Sequence, residues 1–157
     1  MRVVAVILGT LIGAVVALLG LLVAGMRWQV NPVVNAVRRM NRSVTNPRVM
    51  RTAGTEGTQT SVIEHVGRKS GKTYETPVDI IETTTRLLIA LPYGVRTDWL
   101  RNVLDAGSAT VLHSGERIPV DRPAVVATAD VAELIPARTL RTLRLFGVSQ
   151  CLSLEKS

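Results

Sequence analysis

Aromatic side chains make up only 3% of this 157-residue chain, so its core must be built from Val, Leu and Ile. Cysteine is nearly absent as well. Cys151 stands alone, which excludes an intramolecular disulfide and a cysteine-based zinc cluster and suits a reducing compartment. His65 and His113 are the only histidines and lie far apart in sequence, so no metal-ligand cluster is offered. The ordinary reading of each is a satisfied or exposed imidazole. No Ser-His-Asp order and no GxSxG elbow is present, which leaves acyl-transfer chemistry without support. The first 55 residues contain no acid at all, yet hold seven arginines: Arg2, Arg27, Arg38, Arg39, Arg42, Arg48 and Arg51. From Glu56 onward, twelve Lys/Arg balance twelve Asp/Glu, so the whole net charge of +7 belongs to the N-terminal third. A basic chain of this kind raises nucleic-acid binding. The charge-neutral, aromatic-poor remainder argues against it.

What precedes the basic block is a long apolar run. Val3 to Gly25 carries no charge, and as a helix it reaches roughly 34 Å, enough for a hydrocarbon core of about 30 Å. Residues 1–27 are therefore expected to be a retained, single-pass membrane anchor. A cleaved signal peptide is the competing reading, with Val23-Ala24-Gly25 as a poor small-residue site. One arginine precedes the span and six follow it, so the positive-inside rule places the remaining domain on the cytoplasmic side of the cell membrane. Residues 28–60 are expected to form a basic amphipathic helix and a linker. Asn31-Pro32 reads as the helix start, Asn46-Pro47 as its end, and 53–60 as the linker. The arginines after the span point to anionic lipid headgroups.

Residues 61–157 read as the second domain. Strands are expected at 61–66, 73–83, 86–91, 109–113, 116–120 and near the C-terminus, and a helix over 98–106 ending at Gly107. Val125 and Val126 continue an extended path. A helical stretch begins near Asp130, restarts at Pro136 and closes at Gly147. Pro77 inside the second strand argues for an edge, a bulge or a place where a ligand replaces the strand neighbour. Strands dominate, so the expected fold is mainly β (α+β), a small barrel with covering helices.

Two constellations carry chemistry. The first is Gly67-Arg68-Lys69-Ser70-Gly71-Lys72 between two strands, with three cations, a hydroxyl and two glycines. Alone, it reads as a hairpin turn with solvated cations. Its Gly/Ser backbone can also supply an anion nest, and Arg68 with Lys69 offers a planar fork plus a point charge for phosphate. It is not a Walker loop. The second is Tyr93-Gly94 followed by Asp98, Trp99, Arg101 and Asn102. Asp98, Arg101 and Asn102 share a helix face, and the helix start adds unpaired N–H groups. Trp99 either walls a planar ligand or covers the barrel end as a core aromatic.

His65 through Gly71, then Thr76-Pro77-Val78, then Asp98-Trp99-Leu100-Arg101-Asn102 together resemble the deazaflavin-dependent nitroreductase family, split β-barrel oxidoreductases known chiefly from actinobacteria. The likeness covers about residues 61–122. It implies an FMN-binding-like split barrel that binds reduced deazaflavin coenzyme F-420, with FMN as the second choice. By the resemblance, Arg68, Lys69 and Ser70 hold the phosphate, and Tyr74 through Asp79, including Thr76, Pro77 and Val78, lies along the ring. Pro92, Tyr93, Gly94, Asp98, Trp99 and Asn102 close the pocket. Tyr74 and Tyr93-Gly94 depart from the family's usual arginine and lysine-glycine. Tyr93 and Asp79 are the candidate catalytic residues, as proton donor or substrate-orienting group. The implied reaction is hydride transfer to a lipophilic acceptor, a quinone, enone or nitro compound. The alternative is a lipid- or fatty-acid-binding protein without catalysis, its aliphatic barrel pocket holding the acyl chain. The related split barrels are often dimers, so a homodimer is the assembly the resemblance suggests.

Overall fold

The computed structural model describes residues 2–157; the side chains of Arg2, Val3, Ala5 and Val6 are not among the described atoms. Six strands close into an antiparallel barrel in the order β1-β2-β3-β6-β5-β4. They are β1 (Thr60–Val66), β2 (Thr73–Glu82), β3 (Arg86–Ala90), β4 (Ser108–His113), β5 (Glu116–Ala127) and β6 (Gln150–Lys156). The mainly β barrel with covering helices is thus the observed architecture. Alternation puts Ile63, Leu87, Ile89, Val111, Val120, Leu152 and Leu154 inside, and all are essentially inaccessible to solvent. These side chains fill the barrel. The barrel interior, where the aliphatic pocket for an acyl chain is expected, is occupied by this cluster of buried leucines, isoleucines and valines.

Val125 and Val126 belong to the same long strand as Glu116–Val120. The register shifts between Asp121 and Ala124, where Arg122 takes a left-handed φ of 47° and Pro123 needs no ladder hydrogen bond. One end of the barrel is covered by α4 (Asp98–Ala106), through Leu100, Val103 and Trp99. A 3-10 turn (Ala132–Leu134) and α5 (Ala137–Leu145) cover Leu88 and Cys151 on an outer face.

N-terminal to the barrel, α1 (Arg2–Arg27) contains one stretch, Ile7–Arg27, long and apolar enough to cross a membrane; its mean hydropathy is 2.7. Its leucines and valines face outward along most of its length. The start of α2 (Asn31–Met40) differs slightly from expectation. Val30 occupies the N-cap without a side-chain bond, and Asn31 is already helical. Asn46-Pro47 does not end this helical path. A π-turn (Asn41–Thr45) leads into α3 (Asn46–Val49), and Pro47 falls in its first turn, where a missing N–H costs little. The following segment is no free tether. Ala53 is buried, Gly54 N–H donates to Thr60 O (2.7 Å), and Gly115 N–H donates to Gly54 O (2.6 Å). Gly54 has φ +77°, and a Cβ there would meet Leu112 at 2.8 Å.

Candidate functional site

The β1–β2 turn closes on itself. Gly67 N–H donates to Lys72 O (2.8 Å), and Ser70 and Gly71 N–H both donate to Gly67 O (3.1 and 2.8 Å). Lys72 N–H reaches Ser70 Oγ (3.3 Å), and Arg68 N–H reaches Asn102 Oδ1 (3.3 Å). The amides expected to form an anion nest are therefore mostly occupied. Among the described residues, the Lys69 N–H is the one turn amide with no protein acceptor. What the turn presents outward is charge: Lys69 and Lys72 are exposed and enter no ion pair among the described residues. Gly67 admits no side chain, since a Cβ would lie 2.5 Å from both Ser70 Oγ and the Tyr74 ring.

Arg68 faces the other way. Its Nη2 donates to Asp98 Oδ1 (3.0 Å), and its Nη1 donates to Asn102 Oδ1 (2.8 Å) and Asp98 O (3.4 Å). The fork expected to face phosphate instead ties the turn to the first turns of α4. The Arg68 guanidinium, more than the smaller opposing effect of burial, holds the Asp98 carboxyl below its usual range. Asn102 is buried, and its second polar atom, Nδ2, lies 3.2 Å from His65 Nδ1. Because Asn102 Oδ1 already accepts from Arg68, Nδ2 is the donor and His65 Nδ1 the acceptor. His65 Nε2 then carries the proton and donates to Thr76 Oγ1 (3.1 Å). One continuous chain thus runs Asp98–Arg68–Asn102–His65–Thr76 and joins α4, β1 and β2.

Burial lowers the His65 pKa below its ordinary 6.5. The folded state resists a proton that the unfolded chain accepts. Stability is therefore full above the unfolded value and falls as pH drops from about 6.5 toward the lower folded value. A protonated ring would also aim an N–H at the Asn102 amide. We expect α4 amides to lose hydrogen-exchange protection in this window, and His65→Gln to remove that part of the pH dependence; an unchanged profile would contradict the assignment.

Strand β2 pairs with β1 along Thr73–Asp79, but with β3 only at Ile80–Glu82. Thr73–Asp79 therefore has one hydrogen-bonded strand neighbour, and Pro77 sits on that open edge. Tyr74, Thr76 and Val78 share a face. Tyr74 stacks on His65 (6.0 Å, 23°) and its hydroxyl lies 3.1 Å from Ser70 Oγ, while Val78 is buried in the core. Asp79 is exposed and accepts from the Thr60 hydroxyl (3.1 Å). Nothing among the described contacts joins it to Tyr93.

The Pro92-Tyr93-Gly94 loop turns on Gly94, whose φ is +69° and whose N–H donates to Leu91 O (3.0 Å). Tyr93 is half-buried and its hydroxyl accepts from the Asn41 amide. Burial raises the phenol pKa, and the Asn41 bond offsets part of that, so the phenol stays protonated at neutral pH. Gln29 Nε2, itself on a left-handed residue (φ 52°), donates to Met26 O (2.9 Å) and reaches Pro92 O (3.4 Å). The arm after α1 thus holds the loop at two points. Sequence reasoning missed Gln29 and Asn41, which no local pattern marks. Thr97 stands at the N-cap of α4 but makes no capping bond, and its buried Oγ1 has no partner among the described residues. Trp99 packs on the core cluster, as a barrel-end aromatic. The structure therefore gathers the turn, Tyr74, Thr76, Asp98 and Asn102 into one cluster, and holds Pro92-Tyr93-Gly94 against the N-terminal arm.

These features define a six-stranded antiparallel barrel with a helix-braced cationic hairpin turn beside an open strand edge. Solved structures similar to the chain include an F420-H2 dependent reductase (TM-score 0.46, 13% identity, 62% of this chain and 94% of that one). An F420 reductase has a TM-score of 0.45 at 9% identity, covering 63% and 86%. An FMN-binding protein from Syntrophomonas wolfei has a TM-score of 0.40 at 12% identity, covering 78% and 92%. No family model and no curated protein sequence matches the chain.

Proposed function

We propose that the chain is a membrane-tethered oxidoreductase that transfers a hydride from reduced coenzyme F-420 to a lipophilic acceptor such as a quinone, enone or nitro compound. The observation that carries this reading is the Arg68 tie to Asp98 and Asn102, which makes one wall of two motifs 30 residues apart in sequence. The motif resemblance supplies the cofactor's identity. The residues fit an anionic tail through Lys69, Lys72 and the free Lys69 amide, and a planar ring through the open edge of Thr73–Asp79. When bound, the reduced deazaflavin supplies the hydride, and the protein positions the reactants and excludes water. Tyr93 holds its proton at neutral pH and is fixed by Asn41, which suits it to donate a proton to the acceptor.

The apolar α1 is read as the anchor, with the basic arm on anionic cytoplasmic headgroups and the barrel on that side. This brings the site to membrane-dissolved acceptors. The packed barrel interior disfavours the lipid-carrier alternative. Full-length protein in vesicles should oxidise reduced coenzyme F-420 when a lipophilic quinone is added, seen as the return of oxidised-deazaflavin absorbance. Tyr93→Phe should lower kcat about 10²-fold with little change in cofactor affinity. No oxidation above the protein-free rate would sink the proposal.

A further inference from the structure

Helix α5 packs the partly buried Leu140 and Leu143 against the Leu88–Cys151 cluster and turns Arg138, Arg141 and Leu145 outward at spacings of three and four. Arg144 flanks this stripe. All four side chains are exposed, Leu145 by 55%, and none of the three arginines enters an ion pair among the described residues. A row of free cations ending in an exposed leucine is an unpartnered face.

Its position says what covers it. The Arg27 guanidinium, at the last residue of α1, donates to Arg144 O at the C-terminal end of α5. That end carries the negative pole of the helix, so a cation is a natural partner even though the Arg144 carbonyl already accepts from the Gly147 N–H (3.2 Å). The chain reverses there through Gly147 at φ +67°, where a Cβ would collide with the Arg27 carbonyl. The apolar stretch of α1 therefore ends against the C-terminus of α5. Trp28, 74% exposed, follows immediately and is the residue type that settles at a membrane–water boundary.

We propose that the outer face of α5 is a second membrane contact, in which Arg138, Arg141 and Arg144 bind anionic headgroups and Leu145 enters the boundary layer. The inference rests on the reading of α1 as a span and goes beyond it. It fixes which side of the barrel faces the bilayer, and it assigns a role to cations outside the N-terminal basic block.

The test uses the full chain with Leu145→Cys, labelled with an environment-sensitive fluorophore. The native Cys151 is fully buried, so the unsubstituted chain serves as the labelling control. The protein is reconstituted into vesicles of phosphatidylcholine alone, or with phosphatidylglycerol, and carbonate-resistant flotation is scored in parallel. The expected result is flotation with both lipids, but a blue-shifted label quenched by headgroup-borne nitroxide only with phosphatidylglycerol. Arg141→Gln should lower the docked-to-free ratio about five-fold, and Arg138→Glu, Arg141→Glu and Arg144→Glu together should abolish docking while leaving flotation intact. A floating protein whose label stays in water with phosphatidylglycerol overturns the α5 contact and spares the anchor. So does shielding that persists in the triple variant or is equal in both lipids, because the contact is then not electrostatic. Failure to float in either lipid overturns the span, and this inference with it.

Discussion

Asn102→Ala is expected to destabilise the protein by about 3 kcal/mol, the largest effect of any single polar substitution at the site. The side chain is 6% exposed and serves three partners: the Arg68 N–H, the Arg68 guanidinium and His65 Nδ1. Truncation leaves a half-buried backbone donor and a buried imidazole acceptor without partners. The Arg68 side chain can recover water, so most of the loss falls on the other two groups. Asn102→Asp separates the halves of the network. It keeps an acceptor for Arg68 but offers His65 Nδ1 a carboxylate, which raises the imidazole pKa in the folded state. The sign of the pH dependence then reverses. The added stability is present below the unfolded value and is lost as pH rises through the folded one. Urea midpoints across pH 5 to 8, where histidine ordinarily titrates, check both statements. Equal midpoints for Asn102→Ala and the unsubstituted chain would show that the bridge contributes nothing.

Lys69→Ala with Lys72→Ala should weaken binding of reduced coenzyme F-420 about 100-fold and leave the unfolding midpoint unchanged. Both ammonium groups are exposed and enter no ion pair among the described residues, and Lys69 contributes only the weakest of the charge effects on Asp98, so folding depends little on them. Each charge-assisted bond to phosphate at such a site is worth about 1.5 kcal/mol, and the loss should shrink as salt rises. Arg68→Ala divides differently. It removes the Asp98 and Asn102 bonds and should lower stability and affinity together. A double lysine variant that binds as tightly as the unsubstituted chain would move the anion site elsewhere.

Local signals carried much of the fold. The C-terminal boundary of α4 follows from Gly107, at φ +72°. The expected strands follow from β-prone runs between Gly and Pro breaks, and Pro77 does lie on an edge. Contacts between distant segments were not legible. Arg68 reads as a phosphate ligand by composition, but whether a guanidinium meets solvent, a ligand or a carboxylate depends on where α4 packs. The occupancy of the turn amides depends in part on Asn102, 34 residues away. Asn41 and Tyr93 are separated by 52 residues and meet only because the N-terminal arm folds back on the barrel. Pro47 reads as a helix stop because proline breaks a helix interior, but the π-turn ahead of it places Pro47 in the first turn of α3.

The most direct test of the central claim is a fluorescence titration of the full-length protein with reduced coenzyme F-420, run beside the Lys69→Ala, Lys72→Ala chain. A single saturable transition, weakened by the double substitution and by salt, is the result expected of a phosphate grip on the Gly67–Lys72 turn. Absence of saturable binding by the folded, unsubstituted chain would contradict it.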